Sequence, residues 1–140
     1  MEPSISIVIP AYNEAKALEA LLPEWLEQCQ QAGWEMVIVD DGSKDQTAAI
    51  LQQYCSHPCL QAIRHKVNRG YGGALKTGIY YARSDLTLTM DADGQHTMSD
   101  IPDMLETMRT QDADMLIGRR VPLEKEGLYR KTGKLIIRNF

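Results

Sequence analysis

Leu86-Thr87-Leu88-Thr89-Met90-Asp91-Ala92-Asp93 is a short alternating run that stops on two carboxylates. Alternation of this kind signals a strand with one face more buried than the other. Four more short apolar runs share the pattern. Ile5-Ser6-Ile7-Val8-Ile9 ends at Pro10, and Met36-Val37-Ile38-Val39 ends at Asp40-Asp41-Gly42. A weaker run over residues 60–63 ends near Arg64, and Met115-Leu116-Ile117 ends at Gly118. The intervening segments read as helices. Leu18, Leu21, Leu22, Trp25 and Leu26 recur at helical spacing with Gly33 as a stop. Ser43-Lys44-Asp45-Gln46 resembles a capping start for a helix over residues 47–54. Residues 72–82 form a third helix, and Ser99 or Asp100 caps a fourth with Pro102 in its first turn. Strands alternating with helices predict an α/β fold: a Rossmann-like, mostly parallel sheet with helices on both faces.

Bulk composition narrows the function. The 140 residues are 44% hydrophobic and 24% charged, the balance of a water-soluble globular domain. No apolar stretch is long enough to span a bilayer. The N-terminus lacks a basic segment followed by an apolar one, so the expected compartment is the cytosol. Residues 1–118 carry 8 Lys/Arg against 17 Asp/Glu, whereas residues 119–140 carry 7 against 2. An acidic body argues against a nucleic-acid binder, which needs a basic groove there. The basic end suits phosphate or an anionic membrane surface, or is simply a solvated terminus. Cys29, Cys55 and Cys59 lack a fourth ligand at convincing metal-site spacing and read as free thiols.

In an open parallel sheet, ligands bind beyond the carboxyl ends of the strands. Those ends carry Pro10-Ala11-Tyr12-Asn13-Glu14, Asp40-Asp41-Gly42-Ser43, Asp91-Ala92-Asp93-Gly94-Gln95-His96 and Gly118-Arg119-Arg120. Carboxylates crowded on one rim repel unless a cation or hydrogen-bonding ligand sits among them. Asp91 and Asp93 can turn toward one hard cation, and oxygen-only ligands suit Mg²⁺ or Mn²⁺. An EF-hand is excluded because its remaining ligands are missing. Asp40-Asp41 exceeds what a turn requires, and a carboxylate there can accept hydrogen bonds from a nucleobase or ribose. The glycine-rich Asn68-Arg69-Gly70-Tyr71-Gly72-Gly73-Ala74 opens a rival reading, a dinucleotide cofactor site. Its third glycine is missing, however, and the strand before it is the poorest of the five.

Together these stretches resemble family 2 glycosyltransferases of the GT-A fold, particularly the branch that includes dolichyl- and polyprenyl-phosphate sugar synthases. The resemblance rests on residues 7–14, 39–47, 68–75 and 90–96 in the family's order. It implies that Pro10, Tyr12 and Glu14 contact the nucleotide, and that Val39 and Asp41 meet the base or ribose. It implies a metal and diphosphate site at Asp91 and Asp93, with Ala92 beside the ribose. Gln95 would face the sugar or acceptor, and Arg120 the phosphates, so Asp93, Gln95 and Arg120 are the expected catalytic residues.

The reaction implied is inverting transfer of a sugar from a GDP- or UDP-linked donor, metal-assisted, to a polyprenyl phosphate. A nucleotide-sugar-binding module without turnover is the alternative. The organisation expected is a donor-binding unit over residues 1–120, followed by a basic segment over 121–140 that opens an acceptor-side region. The family's domains continue well past Gly-Arg-Arg, so the chain is expected to be truncated or naturally short. Residues 129–138 combine cations with Leu135, Ile136 and Ile137, which suits peripheral contact with the cytoplasmic membrane face.

Overall fold

A computed structural model describes residues 4–118 and 134–138 of the chain. Strand β1 (Ser6–Ala11) leads through α1 (Ala15–Ala32) to β2 (Glu35–Asp40). Helix α2 (Thr47–Gln53), β3 (Leu60–Arg64) and α3 (Tyr71–Tyr81) follow. Then come β4 (Leu86–Thr89), a 3-10 turn at Met98–Asp100, α4 (Ile101–Thr110), β5 (Met115–Gly118) and β6 (Lys134–Arg138). The six strands form one sheet in the order β3-β2-β1-β4-β6-β5.

The centre of the sheet is parallel: β1 pairs with β2 and β4, and β2 with β3. Every residue of β1 and β2 is buried, which explains why both read as continuous apolar runs. Side chains alternate between the faces of a strand. Ile5, Ile7 and Ile9 join a core with Leu18, Leu22, Trp25 and Leu26 of α1 and Ile101, Leu105 and Met108 of α4. On the opposite face Val8 meets α3. A methyl group added at Gly78 would lie 2.3 Å from Val8 Cγ1, so α3 sits on the sheet at a distance that only glycine permits. Helices therefore cover both faces, as the sequence predicts.

Helix α1 ends as read, with Gly33 in the left-handed conformation at φ 68°. The residues before α2 do more than expected: Asp45 Oδ1 accepts the Thr47 N–H at 2.9 Å and so caps the start of α2 as read. The cap position of α2, Gln46, makes no side-chain cap bond. In addition, Ser43 Oγ accepts the N–H of Asn13, Thr47 Oγ1 that of Glu14, and Asp45 Oδ2 that of Ala15. The loop after β2 thus caps the start of α1, whose first-turn N–H groups have no intrahelical partner.

The C-terminal stretch differs from what its composition suggests. Lys134–Arg138, expected within a basic membrane-facing segment, is a strand antiparallel to both β4 and β5. Ile136 is fully buried in the core. Its apolar character serves the sheet, so this side chain is not available to a membrane surface. The rest of that segment, residues 121–133, lies outside the described residues. Among the described residues no helix is long and apolar enough to cross a membrane.

Candidate functional site

Strand β1 has β2 on one side and β4 on the other, so the chain leaves it in opposite directions across the sheet. A crevice opens at such a switch point beyond the carboxyl ends. Here it is a cleft of about 330 Å³. Pro10, Ala11, Tyr12 and Glu14 line it from the end of β1, and Asp41 from the end of β2. Asn68, Gly70, Tyr71 and Ala74 close it from α3 and the turn before it, and Asp91, Ala92 and Asp93 from the end of β4.

The two acids after β2 have separate jobs. Asp40 is buried and accepts the Ser43 N–H at 2.9 Å, which closes the turn. Its other oxygen makes no hydrogen bond and lies 3.3 Å from Arg64 Nε, so the side chain is held by the turn and an ion pair. Asp41 forms part of the cleft wall. Its Oδ1 receives the Arg69 N–H at 2.8 Å and sits 2.6 Å from His65 Nδ1. Burial alone would raise its pKa, but the bonds from His65 and the Arg69 and Gly70 backbone hold it below the usual range.

Beyond β4, Asp91 is partly buried and Asp93 exposed. The Tyr71 hydroxyl donates to Asp91 Oδ1 at 3.0 Å, and His96 Nε2 approaches Asp91 Oδ2 at 3.5 Å. Asp93 Oδ1 accepts the Gln95 N–H at 3.0 Å, shaping the turn. Glu14 registers the charge that collects here. Its pKa is raised by burial first, then by the carboxylates of Asp93, Asp45 and Asp91. Such a rim favours a cation, and its oxygen donors are those a hard divalent ion takes. Among the described residues no group of three or more His, Cys, Asp or Glu is placed to hold a metal. Asp91 and Asp93 would therefore share an ion with oxygens of a ligand or water, which is how Mg²⁺ is usually held.

Of the residues singled out from sequence, the structure gathers Pro10, Tyr12, Glu14, Asp41, Asp91, Ala92 and Asp93 around this one cleft. Val39 is not among them. It is fully buried under α3, where a methyl group on Gly78 would lie 3.4 Å from its Cγ2. Gln95 is exposed past Asp93, and its side chain is not part of the cleft wall. Arg119 and Arg120 lie outside the described residues. Tyr71, His65 and His96 carry no role that the sequence assigned. Tyr71 stood inside the quoted glycine-rich motif, but only the fold sets its hydroxyl on Asp91.

Three kinds of comparison agree with this architecture. The model of Glycosyl transferase family 2 matches residues 6–139. The chain is 38% identical over 137 residues to an undecaprenyl-phosphate 4-deoxy-4-formamido-L-arabinose transferase of Photorhabdus laumondii, covering 95% of this chain and 42% of the relative. It is 34% identical over 143 residues to the dolichyl-phosphate beta-glucosyltransferase of Homo sapiens, covering 91% of this chain and 44% of that one. The chain thus spans less than half the length of these curated relatives. Among solved structures, S. aureus TarS 1-349 in complex with UDP-GlcNAc superposes with a TM-score of 0.73 at 23% identity, over 91% of this chain and 37% of that one. The Pyrobaculum calidifontis mannosyltransferase PcManGT, in complex with GDP-Man and Mn²⁺, gives 0.72 at 23% identity, over 86% and 36%. At that identity the two structures bear on the fold alone, and the fold is GT-A.

Proposed function

Because the chain belongs to glycosyl transferase family 2, we propose that its cleft binds a nucleoside-diphosphate sugar with a divalent cation and serves inverting sugar transfer to a polyprenyl phosphate. The observation that carries this reading is the convergence of Glu14, Asp41, Asp91 and Asp93 on one cleft at the sheet's switch point. A rim of acids is a poor place for a bare diphosphate. It suits a diphosphate that arrives with its own cation.

The residues divide the work by position. Asp41, ionised and rigidly held, accepts hydrogen bonds from the nucleoside. Tyr12, nearly half exposed at the end of β1, offers a flat apolar surface to the same group. Asp91 and Asp93 would hold Mg²⁺ or Mn²⁺, which when bound offsets the charge developing on the leaving diphosphate. Ala92, small and buried between them, leaves room for the ribose. Gln95, exposed two residues past Asp93, would face the sugar or acceptor. Arg120 would add a cationic partner for the diphosphate. A polyprenyl-phosphate acceptor already carries an anionic oxygen, so attack needs no strong general base from this chain.

The named activities of the two lipid-phosphate relatives support this acceptor class, and the nucleotide sugars in the two structural neighbours support the donor class. A donor-binding unit without turnover is the second reading. Action at the cytoplasmic membrane face is part of the proposal. Calorimetric titration of the chain with UDP- and GDP-sugars, with and without Mn²⁺, tests donor binding and identifies the base. Failure of every donor to bind with metal present would sink both readings. Product formation with a polyprenyl phosphate separates them.

A further inference from the structure

Behind the cleft wall a polar chain runs on from Asp41 through His65 and Thr77, neither of which lines the cleft. His65 follows β3 and is only 5% exposed. Its Nδ1 lies 2.6 Å from Asp41 Oδ1, and its Nε2 lies 2.8 Å from Thr77 Oγ1 in α3. The Thr77 hydroxyl in turn reaches the Gly73 carbonyl at 3.1 Å, one helical turn back. Because an ionised carboxylate can only accept, His65 donates at Nδ1. The backbone N–H of His65 donates to the Asp40 carbonyl at 2.9 Å, which fixes the ring's origin against β2.

A carboxylate, an imidazole and a hydroxyl in line resemble a hydrolytic triad. That role fails on geometry. The hydroxyl is engaged with a helix carbonyl, and the His65 side chain is only 4% exposed. No substrate can reach the ring. What the chain does accomplish is mechanical. It ties the end of β2, the end of β3 and the first turns of α3 to a single imidazole. The turn before α3 is bound to the same carboxylate through the Arg69 N–H.

We propose that His65 is a positioning residue for nucleoside recognition, setting the rotamer of Asp41 and locking the glycine-rich turn to it. The proposal rests on the reading of this cleft as a donor site with Asp41 at the nucleoside. His65 touches no ligand itself. A carboxylate deprived of it keeps its charge but can rotate, and the cleft wall at α3 loses its anchor. Two consequences follow. The effect falls on the nucleoside end of the ligand, and it depends on the Nδ1 donor more than on the ring as a whole.

The test uses the full chain carrying His65→Leu and His65→Asn, titrated with UDP and GDP in Mn²⁺ and with inorganic pyrophosphate in Mn²⁺. His65→Leu is expected to weaken the preferred nucleotide about tenfold or more, the usual scale for losing a buried hydrogen bond to a charged group. Pyrophosphate binding stays unchanged. Asn offers an amide donor in place of Nδ1, so His65→Asn restores affinity to within about threefold of wild type. Wild-type nucleotide affinity in His65→Leu would overturn the proposal and leave the donor-site reading standing. An equal loss toward nucleotide and pyrophosphate, or no recovery in His65→Asn, would reduce His65 to a packing residue. If the wild type binds neither nucleotide, the donor-site reading itself falls. Should the leucine variant not fold, NMR of the wild-type ring decides: UDP or GDP is expected to shift the His65 resonances and pyrophosphate is not. Unmoved resonances on saturation with the preferred nucleotide would overturn the proposal.

Discussion

The hydroxyl of Tyr71, the first residue of α3, donates to Asp91 Oδ1 across 3.0 Å and so bridges the cleft from helix to sheet. Burial first, and then the charge and hydrogen bond of Asp91, push the Tyr71 pKa up to about 12, so the hydroxyl keeps its proton at neutral pH. It acts as a fixed donor that orients one of the two candidate cation ligands. Tyr71→Phe keeps the ring and removes the donor. The expected loss is about 1 kcal/mol, or roughly fivefold in Mn²⁺-dependent nucleotide affinity. Isothermal titration of the variant checks it, and unchanged affinity would mean that Asp91 is oriented without Tyr71.

Asp93 contributes both a candidate ligand and a charge that Glu14 feels. Asp93→Asn is expected to weaken Mn²⁺-dependent nucleotide binding about tenfold or more, while the exposed position leaves the fold intact. EDTA on the wild type should mimic the loss. The same substitution removes one charge that holds the Glu14 pKa up, after burial, which is the larger cause. The Glu14 midpoint should therefore move down toward its ordinary 4.5 without reaching it. Side-chain carboxyl NMR reads this directly, and an upward or absent shift contradicts the charge clustering.

At the opposite end of the sheet Glu35 is buried beneath Arg83, Ser6 and Gln61. It accepts the Arg83 N–H and Nε–H, each at 2.6 Å, the Gln61 amide at 3.0 Å, and the Ser6 hydroxyl. Burial raises its pKa, but the bonds from Ser6, Arg83 and Gln61 outweigh it and leave the value lowered. A carboxyl with a lowered folded-state pKa takes up protons more readily when unfolded. Its contribution is complete above the ordinary 4.5 and is lost as pH falls through the lowered value. Glu35→Ala should cost about 2–4 kcal/mol near neutral pH, below the full figure for a broken buried pair because Arg83 is half exposed. Urea unfolding at neutral and acidic pH measures both; the variant should lose part of the acid sensitivity of the wild type.

Gly42 and Gly94 both have positive φ, 72° and 74°, yet substitution should not cost the same. A methyl group on Gly42 would lie 2.8 Å from Asn68 N and 2.9 Å from Val67 C, both backbone atoms. On Gly94 it would meet only the end of the Leu21 side chain. Gly42→Ala is expected to cost at least about 2 kcal/mol and to lower nucleotide affinity, because the turn before α3 must shift. Gly94→Ala should cost about 1 kcal/mol from its backbone conformation alone. Thermal and denaturant melts of the two variants give the comparison; equal losses would mean that the Gly42 turn and the Val67–Asn68 backbone do not pack closely.

Much of the fold was legible in the chain because its signals are local. A strand's apolar run and its stopping residue are set within a few positions, so the ends of β1, β2 and β4 and the acids that follow them could be read directly. Gly33 as a helix stop and the apolar stripe of α1 are local in the same sense. What the sequence determined by itself was thus the alternation of strands and helices and the chemistry at the strand ends, including the carboxylates of Asp41, Asp91 and Asp93. Only the tertiary structure decided who pairs with whom. Lys134–Arg138 looks basic and interfacial in isolation, yet it joins the sheet between β4 and β5, where Ile136 is buried. Ser43 and Asp45 look like the cap of the helix that follows, and Asp45 does accept the Thr47 N–H there, yet both, together with Thr47, also cap α1, about 30 residues earlier. Val39 packs under α3 while Asp41, two residues on, reaches the cleft. A hydrogen-bond donor or a buried face takes whatever partner the fold sets opposite it, and that choice depends on distance in space, which local spacing does not encode.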